Sequence, residues 1–369
     1  MKIVHILHEL KFSGAEIMYV DAASLFKDKG CELTVIATAP QIGDYSTHFE
    51  KAGYKVIHKS YPKAWNMFDR IRYNLKLISF LKKEGYDVVH NHCCNLMWEM
   101  SIIAWLAKKR SIFTFHAIFD SNTYSYLYHV FQRWSAKKLF GCIFQSISDS
   151  VYKHELNFYY NKTQKIYNWY SEKRYYPAIE GEQKRIREEL NIPLDSLVII
   201  AVGICSDNKR HTDIIRAVQI IQKKYSDMIF LHIGKGETEE EEKELVKLLN
   251  VNKNVRFCGN LNDVRKYLIA SDIYVMTSIF EGISISTIEA MACGIPAILY
   301  NVAGLRDFNK TGENSLLISE DYTELAKNVI DLYSHPEKLL TLSERAIELV
   351  NKRFNMRTNA SEIFQLYTK

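Results

Sequence analysis

Short apolar runs separated by longer amphipathic stretches set the pattern of this chain. Lys2–Leu7 is the first run, and Glu32–Ala37, Lys55–His58, Asp87–Asn91, Ile112–His116 and Cys142–Gln145 follow. Segments with a helical apolar period separate most of them, the clearest from about Ala15 to Lys29, closed by Gly30. This alternation predicts a parallel sheet with helices on both faces. A second series comprises Leu197–Gly203, Ile229–Ile233, Val255–Cys258, Ile273–Met276, Ala297–Tyr300 and Ser315–Ile318. Leu197–Gly203 is almost continuously apolar, as a strand covered on both faces requires. Helices over Glu239–Leu249 and Val264–Ala270 fall between these strands. The highly charged segment Gly181–Leu190, followed by Asn191-Ile192-Pro193, marks a junction. The pattern thus predicts two α/β domains, residues 1–180 and 181–356, each a Rossmann-like unit.

Candidate chemistry is densest from Ser278 to Pro296. A loop with Gly282 at its bend leads into a helix started by Ser284, Ser286 and Thr287 and ended by Gly294 and Pro296. The first N–H groups of such a helix have no partner inside it and attract phosphate. Glu281 and Glu289 flank this start and can accept hydrogen bonds from hydroxyls. Phosphate beside hydroxyl-rich groups describes a sugar nucleotide. A second reading is local: Ser286-Thr287-Ile288-Glu289 also spells a capping box, in which Glu289 returns a bond to the Ser286 N–H.

Three other positions stand at strand ends, where open α/β sheets bind ligands. The loop His8–Gly14 joins the first strand to its helix, with one glycine and no GxGxxG fingerprint. His116 closes the strand Ser111–His116 and reads either as a structural histidine or as a site residue. Lys209, after Gly203, reads either as a solvated lysine or as a charge-assisted phosphate contact.

Residues 62–84 set Trp65, Met67, Phe68, Ile71, Leu75, Ile78 and Leu81 near one helical stripe, flanked by Lys63, Arg70, Arg72, Lys76, Lys82 and Lys83. Two readings fit: a surface helix packing its stripe on the sheet, or an amphipathic face touching anionic lipid. Charge sharpens the question. The net charge is only +5, but residues 51–150 carry 15 Lys and Arg against 6 Asp and Glu. Such a basic domain suits an acidic partner or a membrane surface. At 369 residues and 47% hydrophobic content the chain suits two globular domains without long disorder. The opening MKIVHILHEL shows no signal-peptide pattern, and no run approaches the ~18 apolar residues of a spanning helix. The seven scattered cysteines read as reduced thiols of a cytoplasmic protein. Cys93-Cys94 beside His90 and His92 has poor zinc spacing, so no metal is expected there.

Glu281 and Glu289 with seven residues between them, then Ala290-Met291-Ala292, Gly294 and Pro296, resemble the signature of glycosyltransferase family 4, whose members are retaining enzymes with the two-domain GT-B fold. The resemblance implies that Glu281 holds donor-sugar hydroxyls, that Glu289 holds the ribose, and that the amides around Ile285 and Ser286 meet the diphosphate. Gly282, Ile283 and Ser284 belong to the same donor-binding stretch. FSGAE, with Gly14, resembles the family's first glycine turn, Ser13 replacing its usual first glycine. TFHA resembles the position where the family's histidine faces the donor sugar, which implies a site role for His116. VGICSDNKRHTDIIRAV resembles the strand, loop and helix from which an arginine and a lysine grip the diphosphate. Lys209 matches the lysine; the arginine's position holds Ile204, and Arg210 is the nearest substitute. Gly203, Gly234 and Gly259 match turns that line the donor and base through backbone groups.

The resemblance therefore implies two Rossmann-like domains facing a cleft, the first binding acceptor and the second a nucleoside-diphospho-sugar, UDP-linked above others. It also implies a C-terminal helix at about 357–369 that crosses back to the first domain. The expected activity is retaining, metal-independent hexosyl transfer to a glycan or lipid-linked acceptor in surface polysaccharide or glycoconjugate biosynthesis, with Glu281, His116 and Lys209 carrying the chemistry. No cofactor and no nucleic-acid partner are expected, and the inner face of an anionic membrane is a partner surface. The absence of an Asp-x-Asp motif fits. Alternatives of other classes are a GT-B sugar-nucleotide epimerase, a non-catalytic sugar-nucleotide binding protein, and a dinucleotide oxidoreductase, the last disfavoured by the missing GxGxxG.

Overall fold

The computed structural model describes residues 1–62, 66–118, 123–261 and 263–368. The chain forms two compact units, residues 1–169 with 356–369, and residues 170–355. In the first, strands β1 (Lys2–Leu7), β2 (Glu32–Ala37), β3 (Lys55–His58), β4 (Val88–Asn91), β5 (Arg110–Phe115), β6 (Ile143–Ser146) and β7 (Gln164–Lys165) alternate with helices α1 (Gly14–Asp21), α2 (Ala23–Asp28), α3 (Ser46–Lys51), α4 (Met67–Lys83), α5 (Met97–Leu106), α6 (Thr123–Lys138) and α7 (Asp149–Phe158). The second contains α8 (Glu182–Glu189), β8 (Val198–Val202), α9 (His211–Ile221), β9 (Ile229–Ile233), α10 (Glu239–Leu248), β10 (Val255–Gly259), α11 (Val264–Ala270), β11 (Ile273–Met276), α12 (Ile285–Ala292), β12 (Ala297–Tyr300), β13 (Leu316–Ile318), α13 (Tyr322–Tyr333) and α14 (Pro336–Arg353). A last helix, α15 (Met356–Thr368), returns to the first unit.

Both sheets are parallel, in the orders β3-β2-β1-β4-β5-β6-β7 and β10-β9-β8-β11-β12-β13. Each reverses its order once, between β1 and β4 and between β8 and β11. Such a reversal opens a crevice at the strand carboxyl ends. The alternation of β1 shows why these runs are strands. Ile3 and Leu7 enter a core with Tyr19, Phe26 and the α15 residues Ile363, Leu366 and Tyr367. Val4 and Ile6 enter the opposite core with Leu77, Leu81 and Met100. A strand with both faces covered must be apolar throughout its middle.

Three expectations are corrected. The segment from Ala15 to Lys29 is two helices, broken at Ala22. The Met18 carbonyl there accepts from both the Ala22 N–H (3.1 Å) and the Trp169 indole N–H (3.0 Å), and a side chain entering the helical ladder bends it. The division between units falls after Trp169, not at 180/181. The charged segment placed at the junction is α8, whose Arg187 is buried and bonds the Ala270 carbonyl (2.9 Å) and Asp272 (2.8 Å). Two of its charges, Glu182 and Arg187, are buried in ion pairs, and composition alone could not separate the helix from a linker. Finally, the stripe on α4 splits: Leu77 and Leu81 are buried, whereas Phe68 is 87% exposed and Met67, Ile71 and Leu75 also face outward. Lys63 and Trp65 lie outside the described residues.

Candidate active site

The loops after β8 and β11, neighbours at the reversal of the second sheet, hold most of the predicted residues, and they are stitched together. The Asn208 side chain donates to the Phe280 carbonyl (3.1 Å) and accepts from the Phe280 N–H (3.3 Å). The Thr277 hydroxyl donates to the carbonyls of Lys209 (2.8 Å) and Arg210 (3.1 Å). This fixes the backbone of Lys209 against the loop that carries Glu281. Lys209 Nζ then reaches Glu281 Oε1 at 2.5 Å, and the Ser278 hydroxyl donates to the same oxygen at 2.8 Å. Glu281 Oε2 has no hydrogen-bond partner among the described residues. The lysine stem passes over Gly203, where a Cβ would lie 3.2 Å from Lys209 Cε.

Backbone conformation at this corner is borne by Gly304 rather than Gly282. Gly304 has φ +82°, and a Cβ there would lie 2.3 Å from the Glu281 carbonyl oxygen; Gly282 has no positive φ. Gly234 matters for the floor of the site: its φ is +134°, and a Cβ would fall 1.8 Å from the Gly203 carbonyl oxygen. Its N–H bonds the Gly259 carbonyl (2.9 Å), while the Gly203 N–H bonds that of Ile233 (3.0 Å). The ends of β8, β9 and β10 thus close into a surface made of backbone.

Helix α12 starts one residue after Ser284, whose Oγ accepts from the Thr287 N–H (3.2 Å). Thr287 therefore holds the position three residues after the cap, and Glu289 lies more than a turn inside the helix, buried. This register overturns the capping box on Ser286 and Glu289. Ser286 instead pins the helix start to the end of β8. Its Oγ donates to the Val202 carbonyl (2.9 Å) and meets the Tyr274 hydroxyl (2.8 Å). The Ile285 and Ser286 N–H groups have no acceptor among the described residues. Ile283 is buried beside the cap.

Arg210 does not join this group. Its guanidinium is held by Asp213 (2.9 Å) and Glu320 (3.0 Å) against the Tyr300 ring. Ile204, at the position of the family's arginine, is 54% exposed.

Gly14 and His116 belong to the first unit, at the carboxyl ends of β1 and β5. His116 ends a row of imidazoles that the sequence pattern does not reveal: His116 Nε2 meets His92 Nδ1 (2.9 Å), and His92 Nε2 meets His5 Nδ1 (3.1 Å). The next strand position, His90, bonds Thr114 (2.7 Å) and Tyr367 (2.8 Å). Burial lowers all four, His116 to about 4 and His5 to about 3. His116 is thus a neutral hydrogen-bonding group at pH 7. Cys93 Sγ meets Thr38 Oγ1 (3.8 Å) and the Ile6 carbonyl (3.7 Å) rather than a histidine. The one sequence signal for the row is histidine on three strands that the topology makes neighbours.

Residues 12–177 match the family model Glycosyltransferase Family 4, and residues 182–349 match Glycosyl transferases group 1. An uncharacterized glycosyltransferase of Haemophilus influenzae is 32% identical over 155 residues, 42% of this chain and 44% of that protein. The UDP-Gal:alpha-D-GlcNAc-diphosphoundecaprenol alpha-1,3-galactosyltransferase of Escherichia coli is 25% identical over 303 residues, 79% of this chain and 78% of that protein. The chain spans about half the length of the first relatives it matches. HepE of Anabaena, solved in complex with UDP-glucose, superposes with a TM-score of 0.83 at 18% identity, over 100% of this chain and 99% of that one. The fold is GT-B. With its two halves matched by the two family models, the chain is a member of glycosyltransferase family 4.

Proposed function

We propose that this protein is a retaining hexosyltransferase that moves a sugar from a UDP-linked donor to a glycan or lipid-linked acceptor in surface polysaccharide or glycoconjugate biosynthesis. One observation carries the reading: two open amides of α12, the Lys209 ammonium and the open oxygen of Glu281 converge on one strand reversal. The Ile285 and Ser286 amides receive the diphosphate, where the helix dipole favours negative charge. Negative charge grows on the diphosphate as the glycosidic bond lengthens, so the amides and Lys209 hold the transition state more tightly than the ground state. The leaving phosphate oxygen takes the acceptor proton, and neither a protein nucleophile nor a divalent metal is required for this step. Glu281 Oε2 accepts from a sugar hydroxyl, Glu289 from the ribose, and the backbone of Gly203, Gly234 and Gly259 lines the base. In the first unit, Gly14 is assigned to donor binding and neutral His116 to a contact with the donor sugar, as the family resemblance implies.

The two glutamates give a test by ligand. Glu289→Gln is expected to weaken both UDP and the full donor, because a charge-assisted bond is roughly twice as strong as a neutral one. Glu281→Gln is expected to leave UDP affinity nearly unchanged and to lower turnover of the donor, since UDP lacks the sugar. Calorimetric titration of both variants with UDP and with donor separates the roles. Parental UDP binding by Glu289→Gln removes the ribose assignment.

The outward side chains of the first unit support a lipid-linked acceptor. Met67, Phe68, Ile71 and Leu75 on α4, and Leu127, Tyr128, Phe131 and Trp134 on α6, are all exposed, and α5 packs against both helices. Exposed Arg72 and Lys76 flank the α4 face. Among the described residues no helix is long and apolar enough to cross a membrane. On its exposed apolar and basic side chains we assign this face to reversible attachment at an anionic cytoplasmic surface. Each basic residue near such a surface adds about 1 kcal/mol, and salt screens it. The protein is expected to sediment with anionic vesicles at low salt, Phe68→Ala to reduce this, and high salt to release both. Equal binding to neutral vesicles removes the electrostatic part.

Exposed Ile204 and the paired state of Arg210 favour a second reading, a module that binds the sugar nucleotide without turning it over. A thermal-shift panel of nucleotides and sugar nucleotides identifies the donor, a ligand at 100 times its Kd adding about 2.7 kcal/mol. Acceptor-dependent release of UDP then supports transfer. Acceptor-independent release supports an epimerase, and stabilisation without release supports the binding module.

A further inference from the structure

A cluster that the donor-site reading does not use lies under the loop carrying Lys209. Cys205 follows β8, His211 opens α9, His232 is on β9, and Glu242 is on α10. Their exposures are 0%, 2%, 0% and 1%. One ligand atom from each lies within 4.8 Å of all the others. His232 Nε2 is 2.8 Å from Glu242 Oε2, 3.0 Å from His211 Nδ1 and 3.9 Å from Cys205 Sγ, and His211 Nδ1 is 3.3 Å from Glu242 Oε1. Tetrahedral zinc, with Zn–N of about 2.0–2.1 Å and Zn–S of about 2.3 Å, sets its donor atoms about 3.3–3.6 Å apart. The observed separations bracket that value.

Hydrogen bonding alone accounts poorly for this convergence. A ring nitrogen carries either one proton or one lone pair, so it makes one ordinary bond. Here three partners crowd His232 Nε2, and two ring nitrogens face each other. A central cation is met by a lone pair from each of the four residues at once. The Thr238 hydroxyl donates to Glu242 Oε1 (2.8 Å) from outside the group, the arrangement that orients a ligating carboxylate.

We propose that Cys205, His211, His232 and Glu242 bind one divalent cation of the zinc class, closed to substrate and structural in role. Sulfur and two imidazoles select a borderline-soft ion, whereas magnesium and calcium seek oxygen alone. Four protein ligands complete a tetrahedral shell and leave no position for water, as in structural sites. Binding releases the Cys205 thiol proton to solvent, and the thiolate becomes the ligand. Cys205 and His211 bracket Lys209, so the ion ties both ends of that loop to β9 and α10. The site is separate from the donor chemistry and does not depend on it.

The test uses the full chain, purified without a histidine tag or chelator. Elemental analysis is expected to find about one zinc per chain that survives dialysis. X-ray absorption at the zinc edge is expected to show one sulfur among nitrogen and oxygen neighbours; a shell without sulfur means surface zinc and overturns the proposal. Metal-free protein given Co2+ is expected to develop the visible bands of tetrahedral cobalt and a thiolate charge-transfer band. Cys205→Ser should abolish that charge-transfer band, and Cys293→Ser should retain it. Metal-free protein that takes up neither ion with its thiols reduced overturns the proposal and leaves a hydrogen-bonded cluster. The wild-type measurements decide the matter even if Cys205→Ser does not fold.

Discussion

Replacing Lys209 by alanine is expected to lower kcat/KM by roughly 30- to 1000-fold, on the order of 2–4 kcal/mol, the range for loss of one transition-state donor. The size follows from what surrounds it. Ile204 offers no charge, and Arg210 is engaged by Asp213 and Glu320. Lys209, held beside Glu281, is thus the cation proposed to meet the diphosphate. Its loss also leaves Glu281 Oε1 with Ser278 as its donor. Part of the effect then comes from a disordered carboxylate, and a double-mutant cycle with Glu281→Gln separates the two contributions. Lys209→Arg should recover only part of the activity, because the stem runs tightly over Gly203. A loss under threefold in steady-state kinetics would falsify the phosphate role and leave Lys209 as the partner of Glu281.

The largest expected effect on stability lies in the first unit. Arg133 of α6 and Glu155 of α7 form a two-bond ion pair, 2.8 and 2.9 Å, with both side chains buried. The Asn161 side chain donates to the same carboxylate (2.8 Å), and the guanidinium lies 3.6 Å from the centre of the Tyr159 ring. Glu155→Ala removes the carboxylate and strands a guanidinium out of water. Such a loss is expected to destabilise the first unit by about 3–5 kcal/mol. Denaturant unfolding, with the first unit's transition resolved from the second's, is the measurement. Replacing both partners by apolar residues should be far milder than Glu155→Ala, because no unpaired charge remains. If Glu155→Ala costs less than about 1 kcal/mol, water reaches Arg133 and the pair does not hold α6 to α7.

Strands were legible because a doubly covered parallel strand leaves an uninterrupted apolar run; β9, β11 and β12 match their expected bounds. The two-residue β7 has too little sequence to carry a pattern. The α1–α2 break lies at a carbonyl also bonded by Trp169, 151 residues from Met18, a contact no local pattern reveals. Site legibility divided in the same way. Glu281 and the α12 amides lie in one contiguous loop-helix stretch, so local rules could single them out as candidates. The pairing of Arg210 was only half legible, because Asp213 is three residues on but Glu320 is 110 residues away. The cap fell on Ser284 rather than Ser286 because Ser286 is drawn to Val202 and Tyr274, contacts made only after β8 and β11 are aligned. The imidazole row and the Cys205 cluster each take residues from separate elements, and a linear spacing shows neither. The basic helix α4 was ambiguous because both its core side and its outward side are apolar.

Helix α15 bears on how this protein is made. Its Ile363, Leu366 and Tyr367 fill the same core as Phe26 and Tyr19, and Tyr367 bonds His90 across 277 residues of sequence. Synthesis delivers residues 1–169 first, without this part of their core. The second unit, 170–355, is continuous and has all its residues before α15 emerges from the ribosome. Domains usually mature from the N-terminus during translation; here the first unit is the one that waits, with its α2 side uncovered until the helix arrives. For the same reason the two halves of the gene are not separable cassettes. A chimera that exchanges the first unit has to carry its own α15 from the far side of the second, or that unit inherits a lid cut for another protein.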